Sequence, residues 1–126
     1  MIRLKRAYDA PAKDDGIRLL VERLWPRGVK KSDLPLDAWL KDVAPSTELR
    51  KWFSHDPAKW KEFQKKYFAE LHKKPEALAP ILEAMRHRGP VTFLYSSHDA
   101  EHNNAIALKH YVETRLNKKP RSRSAA

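Results

Sequence analysis

Between Gly89-Pro90 and Ser96-Ser97-His98-Asp99 lies the run Val91-Thr92-Phe93-Leu94-Tyr95, and it limits the choice of fold sharply. It is too short for a stable helix and too apolar for a loop. A brief apolar run closed by chain breakers at both ends reads as a strand buried on both faces, the place of a central strand. The chain after it, from Asp99 to Leu116, sets Ala105, Leu108 and Val112 at helical spacing. A central strand passing directly into a helix is the unit of an α/β layer.

The preceding chain supplies the other elements. Residues 2–8 place Ile2 and Leu4 on one face at period two and predict an opening strand. Pro11 and Asp14-Asp15-Gly16 predict a loop. Ile17 to Trp25 is rich in large apolar and β-branched residues and predicts a second buried strand, which Pro26 and Gly28 would stop. Leu36 to Val43, confined between Pro35 and Pro45, fits a helix or a strand, with the short length favouring a strand. Ser46 is placed to cap a short helix, with Glu48 in its first turn. Asp56 as N-cap and Pro57 at the first helical position open a longer helix, whose stripe is Trp60, Phe63, Tyr67, Phe68 and Leu71. Pro75 to Arg88 repeats the pattern with Leu78, Ile81, Leu82 and Met85, and Gly89 ends it. The expected fold is a compact single-domain α/β layered sandwich over residues 1–117, with a small, mostly parallel sheet flanked by helices. A basic flexible tail over residues 118–126 follows it.

Composition narrows the function. A chain of 126 residues suits one domain. It has no Cys, which excludes disulfides, thiolate catalysis and Cys-based metal centres. Its three Gly residues cannot build a phosphate-cradling loop, and no cofactor or metal is expected. No apolar run approaches the ~18 residues of a membrane helix, and the first residues lack a signal-peptide stretch, so no membrane partner and a cytoplasmic location are expected. Lys plus Arg is 26 against 16 for Asp plus Glu, a formal charge of +10. Such an excess favours anionic partners: a small anionic ligand, or nucleic acid held by the basic surface and the tail.

In parallel α/β sheets, sites form beyond the carboxyl ends of strands. Two segments fall there: Arg23 to Gly28 and Ser96 to Asn104. Arg23 and Arg27 flank Trp25 and a rigid Pro26 turn, an arrangement suited to clamping a carboxylate or phosphate. The alternative is that Arg23 pairs internally, Trp25 packs and Arg27 is solvated. In the second segment His102 is the candidate general acid or base, with Asp99 orienting it and Asn103 beside it near the helix start. Asp99 also suits the N-cap of that helix, which would leave His98 outside it and void a His98–His102 metal pair. His55-Asp56, next to Trp52 and Phe53, is either a proton-transfer pair with an aromatic wall or a structural corner. The candidate catalytic residues are therefore His102, His55 and Asp99. The candidate ligand-binding residues are Arg23, Trp25, Arg27, Trp52 and Asn103.

Four separated motifs also occur in a fixed order: Arg23-Leu-Trp-Pro-Arg-Gly28, Ala44-Pro-Ser-Thr-Glu-Leu-Arg50, Trp52-Phe-Ser-His-Asp-Pro57 with Trp60 and Phe63, and Tyr95 to Asp99 with His102-Asn103-Asn104-Ala105. Together they resemble the YeaO-like domain-of-unknown-function family 488 (DUF488) over about residues 1–116. The resemblance implies a compact α/β fold, and its signature positions include Arg23, Trp25, Arg27, Trp52, His55, Asp56, Asp99, His102 and Asn103. It implies no activity. A more distant branch of the family carries cysteines, which this chain lacks, so thiol chemistry does not transfer. Three readings follow: a small enzyme or binding protein for an anionic ligand, a nucleic-acid-binding accessory protein, or a scaffold whose loop residues only hold the fold.

Overall fold

The computed structural model describes residues 2–116. The basic tail expected over residues 118–126 lies outside the described residues. In chain order the elements are β1 (Ile2–Arg6), β2 (Ile17–Leu20), β3 (Ala38–Trp39), α1 (Thr47–Phe53), α2 (Trp60–His72), α3 (Ala79–Met85), β4 (Val91–Tyr95) and α4 (Asn104–Tyr111), the last continuing as a wider helical turn over Val112–Leu116. Short 3₁₀ turns fill several connections. The sheet has the order β1-β4-β2-β3, and every pairing is parallel.

Strand β4 is central, as its composition demands: all five of its residues are buried. Val91 stands opposite both Ile2 and Ile17, so the flanking strands are in the same register against it. Alternation along the strands then sorts the side chains. Ile2, Leu19, Val21, Val91, Phe93 and Tyr95 share one face with the helices, where Phe63, Tyr67 and Leu71 of α2 and Ala105 and Leu108 of α4 complete the main core. Removing a ring as large as that of Phe63 from this core would cost roughly 3–5 kcal/mol. Tyr67 is fully buried there and gives its hydroxyl proton to the carbonyl of Val43. Burial pushes the Tyr67 phenol well above its ordinary range, so it stays a donor.

The opposite face is covered by loops. Leu20 and Leu94 meet Ala7 and Leu34, with Trp25, Val29, Leu36 and Trp39 packed around them. Beside this minor core the buried carboxylate of Asp15 joins two strands, accepting from Lys5 Nζ on β1 at 3.0 Å and from Arg18 on β2. Thr92 Oγ1 of β4 donates to the Asp15 carbonyl at 2.6 Å. Burial alone would raise the Asp15 pKa, but hydrogen bonds from the Ala12 amide, Lys5 and Arg18 outweigh it and hold the carboxyl below its usual range.

Several sequence expectations change here. The second strand ends at Leu20 rather than Trp25, because β4 turns away after Tyr95 and leaves no partner beyond the Val21 amide, which donates to the Leu94 carbonyl at 3.2 Å. The segment 36–43 is strand only at Ala38–Trp39 and then tightens into a 3₁₀ turn, Lys41–Val43. The last helix begins at Asn104, not near Asp99. The Asn103 side chain accepts from the Ile106 amide and is the true cap. Ser46 does cap α1, accepting from the Leu49 amide at 3.1 Å, and Glu70 of α2 accepts in turn from the Ser46 amide at 2.9 Å. Pro80 lies in the first turn of α3, where it takes no hydrogen bond from the helix.

Gly16, which leads into β2, has φ +67°, and a Cβ there would lie 2.1 Å from the Pro90 carbonyl oxygen. That carbonyl accepts from the Ile17 amide and opens the β2–β4 ladder. Gly16→Ala is expected to lower stability by more than about 2 kcal/mol through strain and loss of this contact. Urea unfolding checks this, and a change within about 0.5 kcal/mol would contradict the close approach.

Candidate functional site

A cleft of about 460 Å³ opens beyond the carboxyl ends of β2 and β4. Glu22 and Arg23, which follow β2, form one wall. Residues Ser96 to Asp99 and His102 to Asn104, between β4 and α4, form a second. Arg50, Phe53 and His55 from α1 and its end, with Phe63 of α2, close the third.

Glu22 is half-buried, and one of its oxygens accepts from the Ser96 amide at 3.3 Å. Burial raises its pKa to about 7, against the easing effects of the Ser96 N–H and the nearby Arg50 charge. The Arg23 guanidinium donates to the carbonyls of Pro45 at 3.2 Å and Ala44 at 3.1 Å, tying the end of β2 to the start of α1. Arg50 is exposed to the cleft and makes no side-chain hydrogen bond or ion pair with another described residue. His55 follows Ser54 at the end of α1, and both have left-handed backbone, with φ 56° and 48°. Neither is glycine, so the corner that aims His55 into the cleft carries conformational cost.

Asp99 and His102 form a pair. Asp99 Oδ2 lies 3.0 Å from His102 Nδ1, while Oδ1 accepts from the amides of Glu101 at 2.9 Å and His102 at 3.0 Å. These bonds, the Glu101 amide first, hold the Asp99 carboxyl below its usual range. Trp60 meets the His102 ring edge-on, 5.3 Å between centroids, so the imidazole is fixed from two sides. Asp99 thus organises the turn before α4 instead of capping the helix. Asn103 is buried, and both ends of its amide serve structure: Nδ2 donates to the Asp99 carbonyl at 2.8 Å and Oδ1 caps α4. Asn104 Nδ2 donates to the Val21 carbonyl at 2.7 Å, which joins the α4 wall to the β2 wall.

Of the sequence candidates, Arg23, His55, Asp99, His102 and Asn103 meet at this cleft. Trp25, Arg27 and Trp52 do not line it. The chain turns at Trp25-Pro26 onto the loop-covered face, where Trp25 packs edge-on against Trp39 at 5.3 Å and donates to the Val29 carbonyl at 2.6 Å. Arg27 is exposed and offers only its carbonyl, to the Tyr8 hydroxyl at 3.0 Å. The Arg23–Arg27 clamp is therefore not formed. Trp52 is 37% exposed on the outer side of α1, with Lys59 Nζ and Lys66 Nζ at 5.0 and 5.2 Å from its ring centroid. Sequence reasoning misses Glu22 and Arg50. The signal that points to Glu22 is a carboxylate set immediately after a buried strand, at the end where sites form. Among the described residues no group of three or more His, Asp or Glu side chains is placed to hold a metal ion, and no helix is long and apolar enough to cross a membrane.

Fold and cleft together define a small all-parallel α/β protein with a pocket at its strand ends that mixes charged and apolar groups. A family model described as the inactive DUF488-N3 subclade matches residues 1–126, and the chain belongs to the DUF488 family. It is 42% identical over 113 residues to the uncharacterized protein YeaO of Escherichia coli K12, covering 90% of this chain and 97% of that protein. It is 39% identical over 114 residues to the uncharacterized proteins Mb3100c of Mycobacterium bovis and Rv3073c of Mycobacterium tuberculosis, covering 90% of this chain and 95% of each. No solved structure matches.

The raised Glu22 pKa carries a stability consequence. The folded state holds this proton more tightly than the unfolded state, whose carboxyl titrates near 4.5, so stability falls as pH rises from there to about 7. The Glu22 contribution to that fall is up to about 3 kcal/mol. Thermal unfolding between pH 5 and 7.5 should show a shallower decline for Glu22→Gln than for wild type. Parallel profiles would mean that Glu22 is not desolvated.

Proposed function

We propose that this protein binds a small anionic ligand in the cleft, acting as a binding module and not as a catalyst. The observation that carries the reading is Arg50, a guanidinium lining the open cleft with its hydrogen-bonding capacity unspent on described residues. An unpaired guanidinium in such a place favours a carboxylate or phosphate, which it can meet in bidentate fashion. The formal charge of +10 would draw an anion toward the protein at low ionic strength. The description of the subclade as inactive supports binding without turnover. On this reading the Asp99–His102 pair presents a fixed imidazole to the ligand, and Asn103 and Arg23 position the walls.

A second reading, nucleic-acid binding, is favoured by one surface: the exposed indole of Trp52 between Lys59 and Lys66. Aromatic rings set among lysines suit stacking with bases beside phosphates. The two readings use different faces and separate cleanly. Phosphate, sulfate and small carboxylates should raise the unfolding midpoint of the wild type and of Arg27→Ala, whereas Arg50→Ala should weaken the response about tenfold or more. Equal responses from wild type and Arg50→Ala would refute the cleft reading. Stabilisation by short single-stranded DNA alone, lost in high salt and in Trp52→Ala, would transfer the function to the outer face of α1.

A further inference from the structure

The cleft lining carries two chemically different kinds of group, and a bare anion satisfies one of them. Arg50 offers donors and positive charge. At the strand-end floor two acceptor atoms are left free beside the Ser96 and Ser97 hydroxyls. One Glu22 oxygen takes the Ser96 amide, and the other has no donor among the described residues. Asn104 spends its amide nitrogen on the Val21 carbonyl, and its oxygen also has no donor among the described residues. Phe53 and Phe63 add apolar ring surface to the same lining. A carboxylate at the floor repels a simple inorganic anion, and about 460 Å³ is far more room than phosphate fills. The floor calls instead for hydrogen-bond donors.

We infer that the ligand is a phosphorylated polyol such as a sugar phosphate, its phosphate held by Arg50 and its hydroxyl groups by the carboxyl of Glu22 and the amide oxygen of Asn104. This rests on the anion-binding reading of the cleft and adds its specificity. A carboxylate accepts from two neighbouring hydroxyls at once, and a hydroxyl, unlike an ammonium, also bonds well to the neutral acid. That distinction matters because burial keeps Glu22 between its charged and neutral forms near neutral pH. An ammonium partner would require the full charge. The rings of Phe53 and Phe63 in the lining suit the C–H face of a sugar ring.

Isothermal titration of the full chain with ribose 5-phosphate, glucose 6-phosphate, inorganic phosphate, ribose and phosphoserine tests this. At least one sugar phosphate should bind about tenfold or more tightly than inorganic phosphate. Glu22→Gln, close to isosteric, should erase most of that advantage while leaving inorganic phosphate bound equally or better, since a repelling charge is gone. Sugar phosphates no tighter than inorganic phosphate, or an advantage unchanged in Glu22→Gln, would overturn the specificity and leave the anion reading standing. Phosphoserine binding tighter than either sugar phosphate would also overturn it, pointing to an ammonium at Glu22. No binding of any phosphate compound by the wild type would overturn both readings. The comparison of ligands on the wild type decides the matter even if Glu22→Gln fails to fold.

Discussion

The structure depends on one doubly paired strand. Val91 opposes Ile2 on one side and Ile17 on the other, so three parallel strands share a register and finish close to the same level. Because β4 is buried on both faces, neither neighbour can slip by a residue without turning its apolar set toward the wrong layer. The level ends have a direct consequence for the site. The chain leaving β2 at Val21 and the chain leaving β4 at Ser96 emerge side by side, and Glu22 meets the Ser96 amide there. The cleft is thus a product of parallel pairing and register, in the place where open α/β sheets usually form sites.

The two faces of the sheet are closed by different means. Helices cover one with a continuous apolar core, from Phe63 and Tyr67 to Leu108. Loops cover the other, and a buried carboxylate does part of the joining: Asp15 spans Lys5 and Arg18 while Thr92 holds its carbonyl. A charge cluster of this kind is costly to desolvate, and breaking it by removing one partner costs more than never having it. Gly16 stands next to it for a geometric reason, since only a residue without Cβ lets the chain approach Pro90 so closely.

This asymmetry decides what the sequence reveals. Local signals were legible: the apolar run of β4, the Ser46 cap and the stripe of α2 each depend on neighbours a few residues apart. The choice of face was not. Trp25 and Arg27 sit in a segment that leaves the correct end of a strand, yet the chain folds under the sheet to pack Trp25 against Trp39, fourteen residues on. Period and propensity hold no record of that contact. The start of α4 misleads in a similar way, because Asp99 and Asn103 both have side chains able to cap. The structure uses Asp99 for a preceding turn and Asn103 for the helix, a division set by the part-buried bond from Asn103 to the Asp99 carbonyl.

Within the cleft, the lining residues divide by how far their hydrogen bonds are already spent. Arg23 is committed to the carbonyls of Ala44 and Pro45, Asn103 to the turn and the cap, and Asp99 to two amides and an imidazole. These residues make the pocket's shape and have little left to offer a ligand. Glu22, Arg50 and His55 are the reverse: each reaches the cleft with capacity in hand, and His55 does so from a left-handed backbone that an unconstrained chain avoids. Motif residues such as Arg23 and Asn103 are thus taken up by the walls, whereas Arg50 and His55 of the same motifs, with Glu22 outside them, keep free groups toward the cleft. The walls of such a pocket are fixed by protein–protein hydrogen bonds, so the ordering that binding requires falls on the free side chains, Arg50 first.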